Sequence, residues 1–441
     1  MRQDAGRRRN PKGGSPMRIV RRLGQFVQKI ASGLRAADQR FVQECLLGLT
    51  RRGSTMLTEI GRGLKERCAL KHTEKRLSRM AGTEHFDDER LRANYLSEVG
   101  RLTERHLPYV AVDLSDIAKP NGKTMEALCR VRDGSSRRER MTTGSRRRKP
   151  GRRTRSGSPQ KVASTRREAK VRVEKAAELV PGYLVFEAVA THPEQHHVLP
   201  MMTEVFSTET PEFKSQNDEI DSRLRILAPH VSPKAVWLFD RGFDGGYILK
   251  TLIDLKLQWV VRMLGTRNVE FAKGPKRMDV LADGLVLPHS VRVRTRTKGS
   301  RDVERLVHFT SIPVHLHGVE GQRGLVVASL GRHKRMMLLC WRVPRSPEEA
   351  AQLLRAYLRR WSVEDSGRAC KQLVGLEDVR VQSLRAISRL VRLAGMALGW
   401  LCLLLLFARK TVAEILSRAK TVGREPLLLL YRLLEGIRHP A

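Results

Sequence analysis

Tyr357, Arg360, Glu364 and Lys371 stand at offsets of three, seven and fourteen from the first, in a chain with only 6 tyrosines. On helical or near-helical backbone those offsets share one face. A carboxylate flanked there by a phenol, a guanidinium and an ammonium suits phosphate chemistry. The acid can ligate a cation while its neighbours grip phosphate oxygens. Two more acids lie upstream: Asp113 closes the apolar run Tyr109-Val-Ala-Val, and Asp240 closes Ala235-Val-Trp-Leu-Phe. Three converging carboxylates could hold two Mg2+ ions about 3.5 to 4 Å apart, one activating a nucleophile and one stabilising the leaving oxygen. Mg2+ prefers such hard oxygen ligands, and ligands of open α/β sheets gather at strand carboxyl ends. The bland alternatives are a strand-terminal Asp as a turn residue and Arg360–Glu364–Arg368 as ordinary ion pairing along a helix. Ion pairing explains the charges of one helix but not the two strand acids. Asp116 and Asp244 remain open as alternatives to Asp113 and Asp240.

The elements that must position these residues can be read from composition and period. At 441 residues the chain has room for two or three domains with real cores. Lys and Arg number 84 against 46 Asp and Glu, a net charge of +38. Such a surface binds polyphosphate through counterion release, without needing to read a sequence. The stretch from Gly134 to Leu179 holds 16 of the basic residues and 4 of the acidic ones, so most of the excess lies elsewhere. Six scattered cysteines without CxxC spacing argue against a zinc site or a disulfide framework, and fit a reducing compartment. The basic N-terminus lacks the apolar core of a signal peptide. Leu393 to Ala408 is apolar throughout but shorter than a membrane span needs, so a buried helix is expected and no membrane contact.

Residues 1–16 are expected to be a disordered basic tail. From Arg18 a helical period brings Leu23, Phe26, Val27, Ile30 and Leu34 to one face, opening a helical domain over 17–106 with arginine-rich polar faces. Strand-like runs at Tyr109–Asp113, Tyr183–Ala190, Ala235–Asp240 and Trp259–Arg262 alternate with helical patterns, an α/β core over 107–263. It is interrupted by the basic stretch 134–179, which is too polar to form a core and is expected to be mobile. Short alternating runs suggest a β-rich insertion over 264–341. A second part of the core over 342–408 and a helical C-terminal segment over 409–441 complete the chain. Ser346-Pro347-Glu348-Glu349 is a strong helix start. Ser362-x-x-Asp365 is a weaker start, and Gly375 a suitable stop. Two other patterns lead nowhere. Gly122-Lys123-Thr124 lacks the first glycine of a phosphate loop, with Ile at 117, and His192, Glu194, His196 and His197 around Pro193 read as a surface loop.

With these residues in place, the chain resembles bacterial insertion-sequence DDE transposases bearing the YREK signature. The likeness is carried by Ala111-Val-Asp-Leu-Ser-Asp-Ile-Ala-Lys119, Lys214-Ser-Gln-Asn217, Asp240-Arg-Gly-Phe-Asp244, Trp259-Val-Val-Arg262 and Trp361-Ser-Val-Glu364 within the signature, and spans about 20 to 410. It implies a ribonuclease H-like core and Mg2+-dependent cleavage at transposon ends followed by strand transfer, with two ions that Mn2+ can replace. Asp113, Asp240 and Glu364 would be the metal ligands. Tyr357, Arg360, Lys371, Arg241, Arg262 and Lys119 would contact DNA. The implied partners are transposon-end and target DNA, bound by a dimer in a synaptic complex, in the bacterial cytoplasm at the nucleoid. Two other classes stay open: a catalytically inactive DNA-binding descendant of such an enzyme, and a general polyanion or RNA binder motivated only by the charge.

Overall fold

Apolar residues at helical spacing put one stripe of each N-terminal segment into a common core. Five helices result: α1 (Ser15–Ile30), α2 (Ala36–Arg52), α3 (Leu57–Leu64), α4 (Leu70–Gly82) and α5 (Asp88–Gly100). Gly48 lets α3 cross α2 closely, because a methyl there would lie 2.6 Å from the Ile60 side chain and 2.7 Å from its carbonyl. Asp87 caps α5 by accepting the Arg90 amide at 2.9 Å. The computed structural model describes residues 15–132, 179–192, 198–271, 274–296, 302–329, 335–417, 419 and 426–438. Most of the expected disordered tail, the basic stretch and the His192–His197 loop fall outside these, although Ser15 and Pro16 already belong to α1 and Leu179 opens a strand.

Beyond the helices runs a mixed sheet of twelve described strands. They are β1 (Tyr109–Ala118), β2 (Cys129–Arg132), β3 (Leu179–Thr191), β4 (Val198–Phe206), β5 (Val236–Phe239), β6 (Gln258–Arg262), β7 (Asn268–Phe271), β8 (Gly274–Arg277), β9 (His289–Arg296), β10 (Asp302–Leu316), β11 (Val319–Ser329) and β12 (Arg335–Cys340). Its order is β2-β3-β1-β5-β6-β12-β11-β10-β7-β8, with β4 also on β3 and β9 on β10. Strand β1 is antiparallel to β3 and parallel to β5, and β5 is parallel to β6. Crossovers between the parallel strands use α6 (Gln216–Leu227) and α7 (Gly246–Asp254). Pairing of β12 with β6 carries the sheet on without a break through residues 268–340, where the only described helix is α8 (Met278–Asp283). The α/β class expected from alternating strands and helices is the class observed.

Four helices follow: α9 (Pro347–Leu358), α10 (Ser362–Leu373), α11 (Leu384–Phe407) and α12 (Arg409–Leu416); α13 (Pro426–Arg438) is the last described. The start of α9 is as expected, Ser346 accepting the Glu349 amide with Pro347 at the first position. Ser362 is not a cap: Trp361 precedes α10 in helical conformation, and the chain enters α10 through tight turns from Arg359. Two sequence expectations for β1 also need correction. Asp113 does not close a strand, because β1 runs on five residues to Ala118 in register with β3. Lys119 is buried, its ammonium donating to the carbonyls of Val379 (2.6 Å) and Glu377. That makes it a strut between β1 and the turn after α10 rather than a DNA contact.

Helix α11 is the one described helix long and apolar enough to cross a membrane, yet most of its surface packs inside the protein. Two arginines on it are buried and fully engaged. Arg392 grips Glu204 of β4 with two bonds of 2.7 Å, and Arg389 holds Asp88 of α5 while donating to the carbonyls of Met80, Ala81 and Thr83. Asp88 also accepts from Arg392, so helix, strand and N-terminal domain share one charge network. Burial alone would raise the Glu204 carboxyl; Arg392, joined by Arg92 and Arg223, more than offsets this and holds it below the usual range. Removing one member of a buried pair strands the other. Glu204→Ala should therefore cost about 3 kcal/mol in urea unfolding, while Glu204→Leu with Arg392→Leu costs less. A loss under about 1 kcal/mol for Glu204→Ala would mean the network is not structural.

Candidate active site

Strand register brings the upstream acids together. Val112 of β1 pairs with Phe239 of β5, and Phe239 with Val261 of β6, so one step further Asp113, Asp240 and Arg262 lie in a row across three parallel strands. Neighbouring strands stand about 4.8 Å apart. Past the end of β5, Asp240 accepts the Gly242 amide at 2.7 Å, folding Arg241–Phe243 into a single turn that leaves Arg241 exposed. On the other side of Asp113, β3 places Glu187 directly opposite. Four ionisable residues thus run across the sheet in the order Glu187, Asp113, Asp240, Arg262.

The signature residues approach this row from α9 and α10. Tyr357, in the last turn of α9, is buried against the sheet, with Arg262 and Arg360 close enough to act on its phenol. Arg360 lies in the link and is only 5% exposed. Its guanidinium meets Asp113 at 3.2 Å and Glu364, in the first turn of α10, at 3.0 Å. Burial pushes Asp113 up to about 6; Arg360 pulls it down, and the nearby charges of Asp240 and Glu364 push it up again. Among the described residues no three His, Cys, Asp or Glu are gathered closely enough to hold a metal as they stand. The acids instead share a guanidinium. Lys371, about two turns further along α10, pairs with Glu377 at 2.9 Å and lies 3.6 Å from Asp116.

The alternatives to the two strand acids are engaged elsewhere. Asp116 faces Lys371, and Asp244 is buried, accepting the Leu264 amide at 2.8 Å and Arg267 at 2.7 Å. Glu187 is the residue missed from sequence. Its signal was there: it is the one charge inside the apolar run Tyr183–Ala190. Burial pushes its carboxyl up to about 7, and Asp113 adds to this. The carboxylate is wedged under α10 at Gly367, where a methyl would sit 2.8 and 3.1 Å from its two oxygens.

Two outcomes follow. Alanine normally favours a helix over glycine by about 1 kcal/mol, but Gly367→Ala should destabilise by about 1 to 3 kcal/mol through overpacking on Glu187. Glu187→Ala in the same chain should restore part of that; a raised melting temperature for Gly367→Ala would contradict the packing. The second concerns pH. Folded Glu187 keeps its proton better than an unfolded Glu near 4.5, so its contribution is full below that value and is lost as pH rises through about 7. Glu187→Gln, a mimic of the protonated acid, should gain stability relative to the parent across that window. Parallel pH profiles for the two proteins would contradict it.

Residues 187–400 match the family model of the transposase DDE domain, a span that begins at Glu187 and includes Asp240 and the whole Tyr357–Lys371 pattern but not Asp113. Among solved structures, a piggyBac transposase synaptic complex with hairpin DNA, determined by cryo-EM, aligns at 11% identity and a TM-score of 0.39, covering 96% of this chain and 77% of that one. No curated protein matches the chain. The match covers just under half of the chain, and over residues 187–400 the protein resembles a transposase DDE domain.

Proposed function

We propose that the protein is a DNA transposase that cuts at transposon ends and joins them to target DNA, using Asp113, Asp240 and Glu364 as one metal-binding site. The observation that carries this is the Arg360 guanidinium, which ties Glu364 of α10 to Asp113 beside Asp240. The order β4-β3-β1-β5-β6, antiparallel up to β1 and parallel from it, supports a ribonuclease H-like core. The donor set fits a hard divalent cation: three carboxylates, two of them already paired to a positive group. Bound there, Mg2+ or Mn2+ would supply Lewis-acid stabilisation of charge developing on the phosphate.

The remaining work falls to the chain's own side chains. Asp113, held near 6, must give up its proton to act as a ligand, so its charge state is set close to physiological pH. Arg360, released from the acids, is placed to pair with a phosphate of the bound strand. Exposed Arg241 and half-buried Arg262 add positive charge on either side of Asp240. Lys371 bears on the geometry of α10 through Glu377 and Asp116. Residues 17–106, helical with exposed arginines, are read as a DNA-binding unit, and joining two ends requires two protomers. Protein incubated with Mg2+ and the element's end DNA should cleave it. Asp240→Ala and Glu364→Ala should each lower cleavage by at least about 1,000-fold, on the order of 4 kcal/mol of transition-state stabilisation, while leaving DNA affinity within a few fold. Undiminished cutting by both variants would reject the site. Tight end binding without cleavage under any divalent cation would favour an inactive DNA-binding descendant.

A further inference from the structure

Two open cavities, about 650 and 590 Å3, lie side by side between the outer face of α9 and the edge strand β9, and Gln352 and Arg355 line both. Gln352, Arg355 and the C-cap residue Arg359 recur at three and four residues, which puts them on one side of α9 and its end. The opposite face buries Ala350, Leu353, Leu354 and Tyr357 against the sheet. Across the larger cavity β9 contributes Arg292 and Arg294, so four arginines line it with one acid, Glu304. Glu304 lies 3.6 Å from Arg294 with both side chains largely exposed, a pairing that neutralises little. Arg292 and Arg355 have no ion pair among the described residues.

The position of this groove is as informative as its charge. Tyr109, at its floor, is four residues before Asp113 on the same strand, roughly 13 Å away at 3.3 Å per residue. At its other side Arg359 adjoins Arg360, the residue that bridges the acids. A chain of phosphates seated in the groove therefore leads into the acid row. At ~3.4 Å of duplex axis per nucleotide, that span is about four base pairs.

We propose that the groove between α9 and β9 grips the sugar–phosphate backbone of the DNA duplex entering the acid site, about four base pairs from the reacting phosphate. The proposal rests on the transposase reading and adds a second anchoring point to it. Backbone contacts fix register and orientation without reading sequence, and guanidinium pairs suit phosphate better than ammonium groups do.

The test is salt-dependent binding of end duplex to the full chain, for the parent, Arg292→Ala/Arg355→Ala and Arg292→Lys/Arg355→Lys. Loss of two phosphate contacts should lower the slope of log K against log salt by about 2 and weaken binding at low salt by at least about tenfold. The lysine pair should keep most of the slope. Neutral methylphosphonates three to five base pairs from the cleavage point should weaken binding to the parent and leave the alanine pair unaffected. Both alanine changes are at exposed positions, so the fold should be retained. If the parent binds and cuts the DNA while the alanine pair matches it in slope and affinity, the groove proposal fails and the transposase reading stands. If the parent prefers unrelated RNA to the end duplex, both fail.

Discussion

Arg360 holds the lower part of this protein's chemistry together. Its guanidinium sits between a carboxylate fixed on an interior strand of the sheet and one carried by a helix some 250 residues later in the chain. Bringing half-buried Asp113 beside the exposed Glu364 is costly, because each disfavours ionisation of the other. A buried guanidinium lowers that cost and brings directional hydrogen bonds to both. Burial above all, with smaller contributions from Asp240 and Glu364, leaves Asp113 at about 6 despite the pull of Arg360. A cation placed among these carboxylates would favour the ionised form of Asp113 that burial opposes, and that is the physical basis of the proposed metal site.

The same device recurs elsewhere in the fold. Helix α11 is apolar enough to pass for a membrane span, yet Arg389 and Arg392 fix its place by closing a charge network with Asp88 and Glu204. Lys119 ties the end of β1 to the turn after α10 through two carbonyls. Each connects segments distant in sequence, and each is buried where breaking it is expensive. In a chain with a net charge of +38, these pairings account for only some of the cations. Others, such as Arg292 and Arg355, remain on an open groove.

Much of the fold was legible because it is locally encoded. The change from helical to alternating period marked the passage from the N-terminal helices to the sheet, and Ser346 with Glu349 marked the start of α9. The acidic residues were legible as types at spacings, but not as neighbours. Their proximity depends on strand register, which is set by nonlocal pairing. That is why Glu187 went unseen although it faces Asp113 across the β1–β3 ladder. Asp113, followed by Ser115 and Asp116, reads as a strand end, and pairing with β3 keeps the segment extended to Ala118. Lys119 read as a DNA contact because nothing local tells that two carbonyls from residues 377 and 379 will meet it. The weak start at Ser362 failed because the chain enters α10 directly from the α9 link, leaving no extended residue to act as a cap.

The central claim is that Asp113, Asp240 and Glu364 share one cation site. Anomalous diffraction from crystals soaked in Mn2+ tests it directly. The account predicts a peak within about 2.5 Å of oxygens from at least two of these three carboxylates, with the Arg360 guanidinium displaced from between Asp113 and Glu364. Manganese bound only elsewhere, with Arg360 still bridging the two acids at saturating metal, would contradict it.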